Sequence, residues 1–226
     1  MTMVLEVCCG DYESALAAAA GGAQRVELCA ALATDGLTPS AGLIAAVRRI
    51  PNLRMHVLIR PREGDFVYSE AEFEIMREDI RMAKRIGADG VVIGALTPEG
   101  TIDIEHCKPL VETAEGMQVT FHRAFDQCRE PQQALEQIIA LGCHRLLTSG
   151  QAATAEAGIA LLQQLVRQAG ERLIILPGAG VNAQNARAIL DATGAREIHG
   201  SLRSMQRSRM VTDAQMVKQV VKSLNN

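Results

Sequence analysis

Four times along this chain a glycine, a small residue and two mostly polar residues lead into an apolar run: GGAQRVEL, IGADGVVIG, LGCHRLLTSG and TGAREIHG. The glycines are Gly22, Gly87, Gly142 and Gly194. Lacking a Cβ, glycine there suits a left-handed helix C-cap, after which the chain turns into a strand. Each copy leads into an even-numbered strand, so the repeating period is a pair of β/α units. The chain must alternate strands with helices from end to end.

Eight short apolar or β-branched runs read as those strands: Val4–Cys8, Arg25–Cys29, Arg54–Ile59, Gly90–Ile93, Met117–His122, His144–Thr148, Arg172–Leu176 and Glu197–His199. Helix-start signals follow them. Thr38-Pro39 offers an N-cap with proline at the first helical position. Ser69 with Glu72, and Thr212 with Gln215, have capping-box spacing. Phe73, Met76, Ile80 and Ala83 recur at helical spacing and predict one buried face. Eight units in 226 residues leave no room for a second domain, so residues 1–226 are read as one.

Alternating units of this α/β kind also build open doubly wound sheets. The unit count, and the lack of Gly-x-Gly-x-x-Gly after the first strand, favour a closed (β/α)8 TIM barrel. That architecture gathers functional groups at the C-terminal ends of its strands.

With 23 Lys+Arg against 26 Asp+Glu and 3% aromatic residues, the chain lacks the footprint of a nucleic-acid or membrane-surface binder. MTMVLEVCCG does not read as a signal peptide, and no run approaches the roughly 18 to 20 apolar residues of a membrane span. A soluble, cytoplasmic protein is expected. Its six cysteines (8, 9, 29, 107, 128 and 143) are then expected as thiols. They include no C-x-x-C pair, so no structural zinc site is predicted. No organic cofactor is indicated.

The first two strands end in Glu6-Val7-Cys8 and Glu27-Leu28-Cys29, two copies of E-x-C. Residues two apart share a strand face, so inward-facing copies place two carboxylates and two thiols in the barrel mouth. Adjacent strands lie about 4.8 Å apart, which brings both sulfurs within reach of one ion. Two thiolates suit a soft ion such as Cu(I). The plainer reading is that both cysteines are small core hydrophobes, that each glutamate is held by an internal arginine or histidine, and that barrel stagger offsets the copies.

Other strand ends carry anion chemistry. Arg60 and Arg62 flank the rigid Pro61 and form a potential carboxylate or phosphate clamp, or else neutralise Glu27 or Asp65. Gly178, Gly180, Gly200 and Ser201 stand where such barrels often bind phosphate by backbone N–H groups, with a helix start at Asn182; they equally permit tight turns. In VTFHRAFDQC, His122 closes the fifth strand as a candidate proton shuttle or metal ligand, or is a histidine held by Glu6 or Glu27. Arg123 is an anion partner or pairs with Asp126. Cys128 is read as packing.

EVCC at 6–9, GGAQRVELC at 21–29, GLTPS at 36–40, IRPREGDFVYS at 59–69, TFHRAFD at 120–126 and LTSGQ at 147–151 together resemble the CutC family of copper homeostasis proteins. GAGV at 178–181 and EIHGS at 197–201 continue the resemblance in order. It implies a TIM barrel, a cytoplasmic location, a homo-oligomer and a Cu(I)-linked role, with Cys8 and Cys29 at the family's strand-end cysteines. Asp35, Glu63 and Gln151 stand where the family usually has glycine, and the LRSMQRSRM tail after Ser201 fits its pattern poorly.

Two functions follow. One is copper homeostasis, with Cu(I) held by Cys8 and Cys29. The other is an enzyme acting on a phosphate- or carboxylate-bearing small molecule. There Glu6, Glu27 and His122 supply acid–base chemistry, and Arg60, Arg62, Arg123 and the glycine loops hold the anion.

Overall fold

Gly22, Gly87, Gly142 and Gly194 all adopt left-handed backbone, with φ of +93°, +93°, +84° and +77°. Each stands three residues before a strand, as the repeat predicts. The structure, a computed structural model, describes residues 3–225. Its elements run β1 (Val4–Cys9), α1 (Tyr12–Gly21), β2 (Arg25–Leu28), α2 (Ala41–Val47), β3 (Arg54–Leu58), α3 (Glu70–Ile86), β4 (Gly90–Ile93) and α4 (Ile104–Thr113). They continue with β5 (Gln118–Phe121), α5 (Pro131–Ala140), β6 (Arg145–Thr148), α6 (Ile159–Ala169), β7 (Ile174–Pro177), α7 (Ala186–Thr193) and β8 (Glu197–Gly200). A hairpin, β9 (Arg203–Gln206) and β10 (Arg209–Thr212), precedes α8 (Ala214–Asn225).

The first eight strands are parallel and ordered β7-β6-β5-β4-β3-β2-β1-β8. Seven ladders join them; β7 and β8 lie side by side without one among the described residues. This is the (β/α)8 barrel the unit count predicts, with one seam left unpaired.

Strand alternation splits the buried side chains in two. Leu5, Val7 and Cys9 join the large core between sheet and helices. Cys8 turns the other way and clusters with Cys29, Leu58 and Val92 inside the barrel. On the outside, Phe73, Met76, Ile80 and Ala83 form the buried face of α3, and the Ser69–Glu72 capping box forms at its start.

Three predicted helix starts move. Ser40, not Thr38, caps α2, its hydroxyl accepting from Leu43 N at 3.2 Å. Thr38 precedes a proline, which disfavours helical backbone, and its hydroxyl accepts instead from Arg60 N at 2.9 Å. Asp213, not Thr212, caps α8, accepting from Gln215 N and Met216 N at 2.8 and 3.3 Å. Asn182 does not start α7; its side-chain oxygen closes a turn onto Gln184 N at 2.9 Å, and the helix begins at Ala186.

The tail after Ser201 is the β9–β10 hairpin. Arg207 and Ser208 make its turn with φ of +46° and +65°, the positive pair that a two-residue hairpin turn demands. Asp35 and Gln151, two of the three departures from family glycines, are also left-handed, at +64° and +56°.

Candidate functional site

The barrel interior is filled with charge. Glu6 pairs in register with Arg25 on one side and His199 on the other, while Cys8 pairs with Glu27. The two E-x-C copies are therefore offset by one two-residue step. Arg25 bridges Glu6 and Glu197, and Arg145 binds Glu197 at 2.9 Å and Gln118 at 2.9 Å. Burial alone would raise the Glu6 carboxyl; Arg25, His199 and His56 outweigh it and hold it well below the usual range. Glu6 is thus the hub of a buried ionic layer beneath the mouth, not a wall of it. This is the internal Glu–Arg and Glu–His pairing that a charge within a strand requires.

Above that layer lie the sulfurs. Cys8 Sγ and Cys29 Sγ are 3.6 Å apart. Their mutual bond and burial push the Cys8 thiol well up. Cys8 Sγ, a Glu27 oxygen and a His199 nitrogen lie within 4.8 Å of one another, all buried. His199 Nδ1 binds Glu6 Oε1 at 2.9 Å, and Nε2 faces Glu27 Oε2 at 3.8 Å. Burial works against the His199 charge, but the contacts with Cys8, Glu6 and Glu27 prevail and raise its pKa well above the ordinary value. Burial likewise raises Glu27.

A cavity of about 580 Å³ opens over this cluster at the C-terminal ends of the strands, where the fold predicts it. Cys8, Glu27 and His199 form part of its floor, with Arg60, His122 and Arg123 on the walls. Gly180, Gly200 and Ser201 line it too, whereas Gly178 does not. A Cβ at Gly178 would stand 2.6 Å from Leu147 and 3.3 Å from His199, so that glycine makes room chiefly for the leucine.

Arg60 is buried, and its guanidinium donates to the carbonyls of Thr34, Gly36 and Gly64 at 2.9, 3.0 and 2.9 Å. Arg62 does not join the site. It binds Glu72 and Asp65 at 2.6 and 2.9 Å and lies over Tyr68, so the predicted two-arginine clamp is reduced to Arg60. Arg123 stands at the rim, paired with Asp126 at 2.7 Å. Asp126 also accepts from Ser149 N at 3.1 Å and Gln151 N at 3.2 Å, tying the β5 loop to the β6 loop.

His122 is held neither by Glu6 nor by Glu27. Its Nδ1 accepts from Ala124 N at 3.1 Å, so the neutral ring carries its proton on Nε2. Burial and the nearby Arg60 charge lower its pKa to about 3, which keeps it neutral. As arranged, Nε2 presents a proton rather than a lone pair. Cys128 is buried against Gln151, as packing.

Sequence reasoning missed His199, although the signal was there. Glu197-x-His199 repeats on β8 the polar i, i+2 pattern that singled out Glu6-x-Cys8 and Glu27-x-Cys29. His56 on β3 was missed too: Arg54-x-His56 has the same spacing, but it pairs the histidine with an arginine at the exposed start of the strand rather than with a carboxylate.

Fold and mouth together define a (β/α)8 barrel with a buried thiol, carboxylate and imidazole cluster beneath an arginine-lined cavity. Comparison with known proteins narrows that class. The CutC family profile matches residues 3–204. A CutC family protein of Bacteroides thetaiotaomicron is 54% identical over 206 residues, covering 91% of this chain and 83% of its own. One from Vibrio cholerae is 51% identical over 213 residues, covering 93% and 84%. The crystal structure of a candidate copper homeostasis protein, CutC of Streptococcus agalactiae, superposes with a TM-score of 0.85 at 33% identity, covering 88% of this chain and 99% of that one. The chain belongs to the CutC family.

Proposed function

We propose that this protein serves copper homeostasis by binding Cu(I), as cargo, between Cys8 and Cys29. One observation carries the reading: two buried sulfurs 3.6 Å apart, that of Cys8 on the cavity floor and that of Cys29 behind it. Thiolates bind metal at about 2.3 Å, so two of them on one ion span at most about 4.6 Å, and the observed separation falls inside that reach. Soft sulfur donors select Cu(I) over hard cations.

The surroundings support the same reading. His199 has Nδ1 turned to Glu6, the carboxylate–histidine arrangement that orients metal-binding imidazoles, leaving Nε2 toward Cys8 and Glu27. His199 Nε2 thus stands beside Cys8 as a third donor once it gives up the proton that its raised pKa holds there. The relative from Streptococcus agalactiae carries a copper homeostasis name, which agrees with this role.

Anaerobic titration of the reduced protein against a chromophoric Cu(I) chelator tests it. The parent should take one Cu(I) per chain, and Cys8→Ser with Cys29→Ser should abolish tight binding. Equal affinity in the double variant, or a preference for Zn(II) in direct competition, would defeat the assignment.

A further inference from the structure

Among the described residues, Arg60 is a buried cation without a counter-ion. Only 4% of its surface is exposed. Its guanidinium binds three carbonyl oxygens, no carboxylate lies within ion-pair distance among the described residues, and its Nε–H has no acceptor. Burying a charge unpaired is costly, and proteins normally match it.

The neighbouring wall repeats the deficit. His122 is 5% exposed, and its Nε2 also lacks a partner among the described residues. Because Nδ1 accepts from Ala124 N, that Nε2 is a donor. Phe66 packs against both groups, its ring centroid 5.0 Å from the Arg60 guanidinium carbon and 5.0 Å from the His122 ring centroid. Two unsatisfied N–H donors, one of them charged, thus flank one aromatic ring on the cavity wall. What they lack is an acceptor of negative charge. A metal ion supplies none, and a neutral hydroxyl leaves the Arg60 charge unmatched.

We propose that the mouth binds a small organic anion, a carboxylate or a phosphate, whose oxygens accept from Arg60 Nε and His122 Nε2. Phe66 shifts to admit it, and the exposed guanidinium of Arg123 meets its outer end. The site is separate from the sulfur corner: none of its donors is Cys8, Cys29, Glu27 or His199. The 580 Å³ cavity is large enough for a metabolite of several carbons.

Thermal melts of the reduced, copper-free protein test this with inorganic phosphate, malonate and uncharged glycerol at constant ionic strength. One anion should raise Tm by about 3 °C at ten times its Kd, and glycerol should not. A response to phosphate alone assigns a phosphate ligand; one to malonate alone assigns a carboxylate. His122→Phe keeps a flat ring but removes the donor, and should weaken binding about tenfold. His122→Gln, which keeps an N–H, should restore part of it. Cys8→Ser with Cys29→Ser should leave the response intact, which separates this site from the copper reading. The proposal is overturned by the absence of a shift with either anion, by undiminished binding in His122→Phe, or by loss of the response in the dithiol variant.

Discussion

Gly94 and His122 share one space on adjacent strand ends: a Cβ at Gly94 would overlap Cε1 and Nδ1 of the imidazole. His56 is accommodated in the same way, since a Cβ at Gly90, its register partner on β4, would stand 2.6 Å from the ring. Gly178 differs, since its Cβ would meet Leu147 first, at 2.6 Å, and His199 only at 3.3 Å. His56 and His122 thus each fill space left by a glycine on or just past β4.

Gly94→Ala should therefore act through His122. Overpacking of this kind costs about 1–3 kcal/mol, read from urea unfolding. A double-mutant cycle with His122→Ala should show coupling of at least about 0.5 kcal/mol, because the smaller partner frees the space. Strict additivity would mean that the glycine serves another purpose.

His56 and His122 predict an acid-side loss of stability. Burial lowers their pKa values from 6.5 to about 4 and about 3. Between those values and 6.5 the unfolded chain binds protons that the folded one refuses, so stability falls as pH drops. From pH 6.5 to about pH 5 each histidine should remove on the order of 2 kcal/mol. Urea midpoints for His56→Gln should fall less steeply over that interval than those of the parent.

Glu6→Gln should damage two things at once. It leaves Arg25 with one carboxylate partner instead of two, and breaking a buried pair costs about 3–5 kcal/mol. The Glu6 carboxyl is depressed, so its contribution is present above the ordinary carboxylate value of 4.5 and is lost as pH falls through the depressed one. The same change weakens the hold on His199 and should lower Cu(I) affinity about 10- to 100-fold. An unaltered affinity in the folded variant would remove His199 from the metal site.

Cu(I) binding should strengthen with pH, since thiols must lose their protons to bind metal. Affinity should rise about tenfold per pH unit for each proton expelled, measured by chelator competition at two pH values. A flat profile would mean the sulfurs are not the donors.

Asp35→Gly should stabilise the protein by up to about 1 kcal/mol, because exposed Asp35 holds φ +64° where glycine is unstrained. Gln151→Gly gains the same relief at φ +56° but loses the bond from Nε2 to Cys128 O at 2.6 Å, so its net gain should be smaller. Equal effects in thermal melts would make that bond worthless.

Much of this was legible from residues alone. Gly22, Gly87, Gly142 and Gly194 marked the units because positive φ is a local demand that a sequence must satisfy locally. The sulfurs could be placed together because an i, i+2 pair keeps one face and neighbouring strands have a fixed spacing. The stagger was not legible, being a property of the closed ring, and it is stagger that pairs Cys8 with Glu27 and sets Glu6 beneath the mouth. Arg62 misled because Glu72, which caps α3, also accepts its guanidinium, a tertiary contact no strand-end pattern announces. Arg60 and His122 were marked by type, but that each keeps one N–H without an acceptor emerges only when every neighbour is in place.

The missing ladder between β7 and β8 gives the ring two ends. A closed ring can only deform as a whole, whereas one with a seam can widen like a clasp while its seven ladders stay intact. Gly178 and His199 face each other across that opening. The backbone amides along the seam, lacking ladder partners there, should be the first of the barrel to exchange with solvent deuterium.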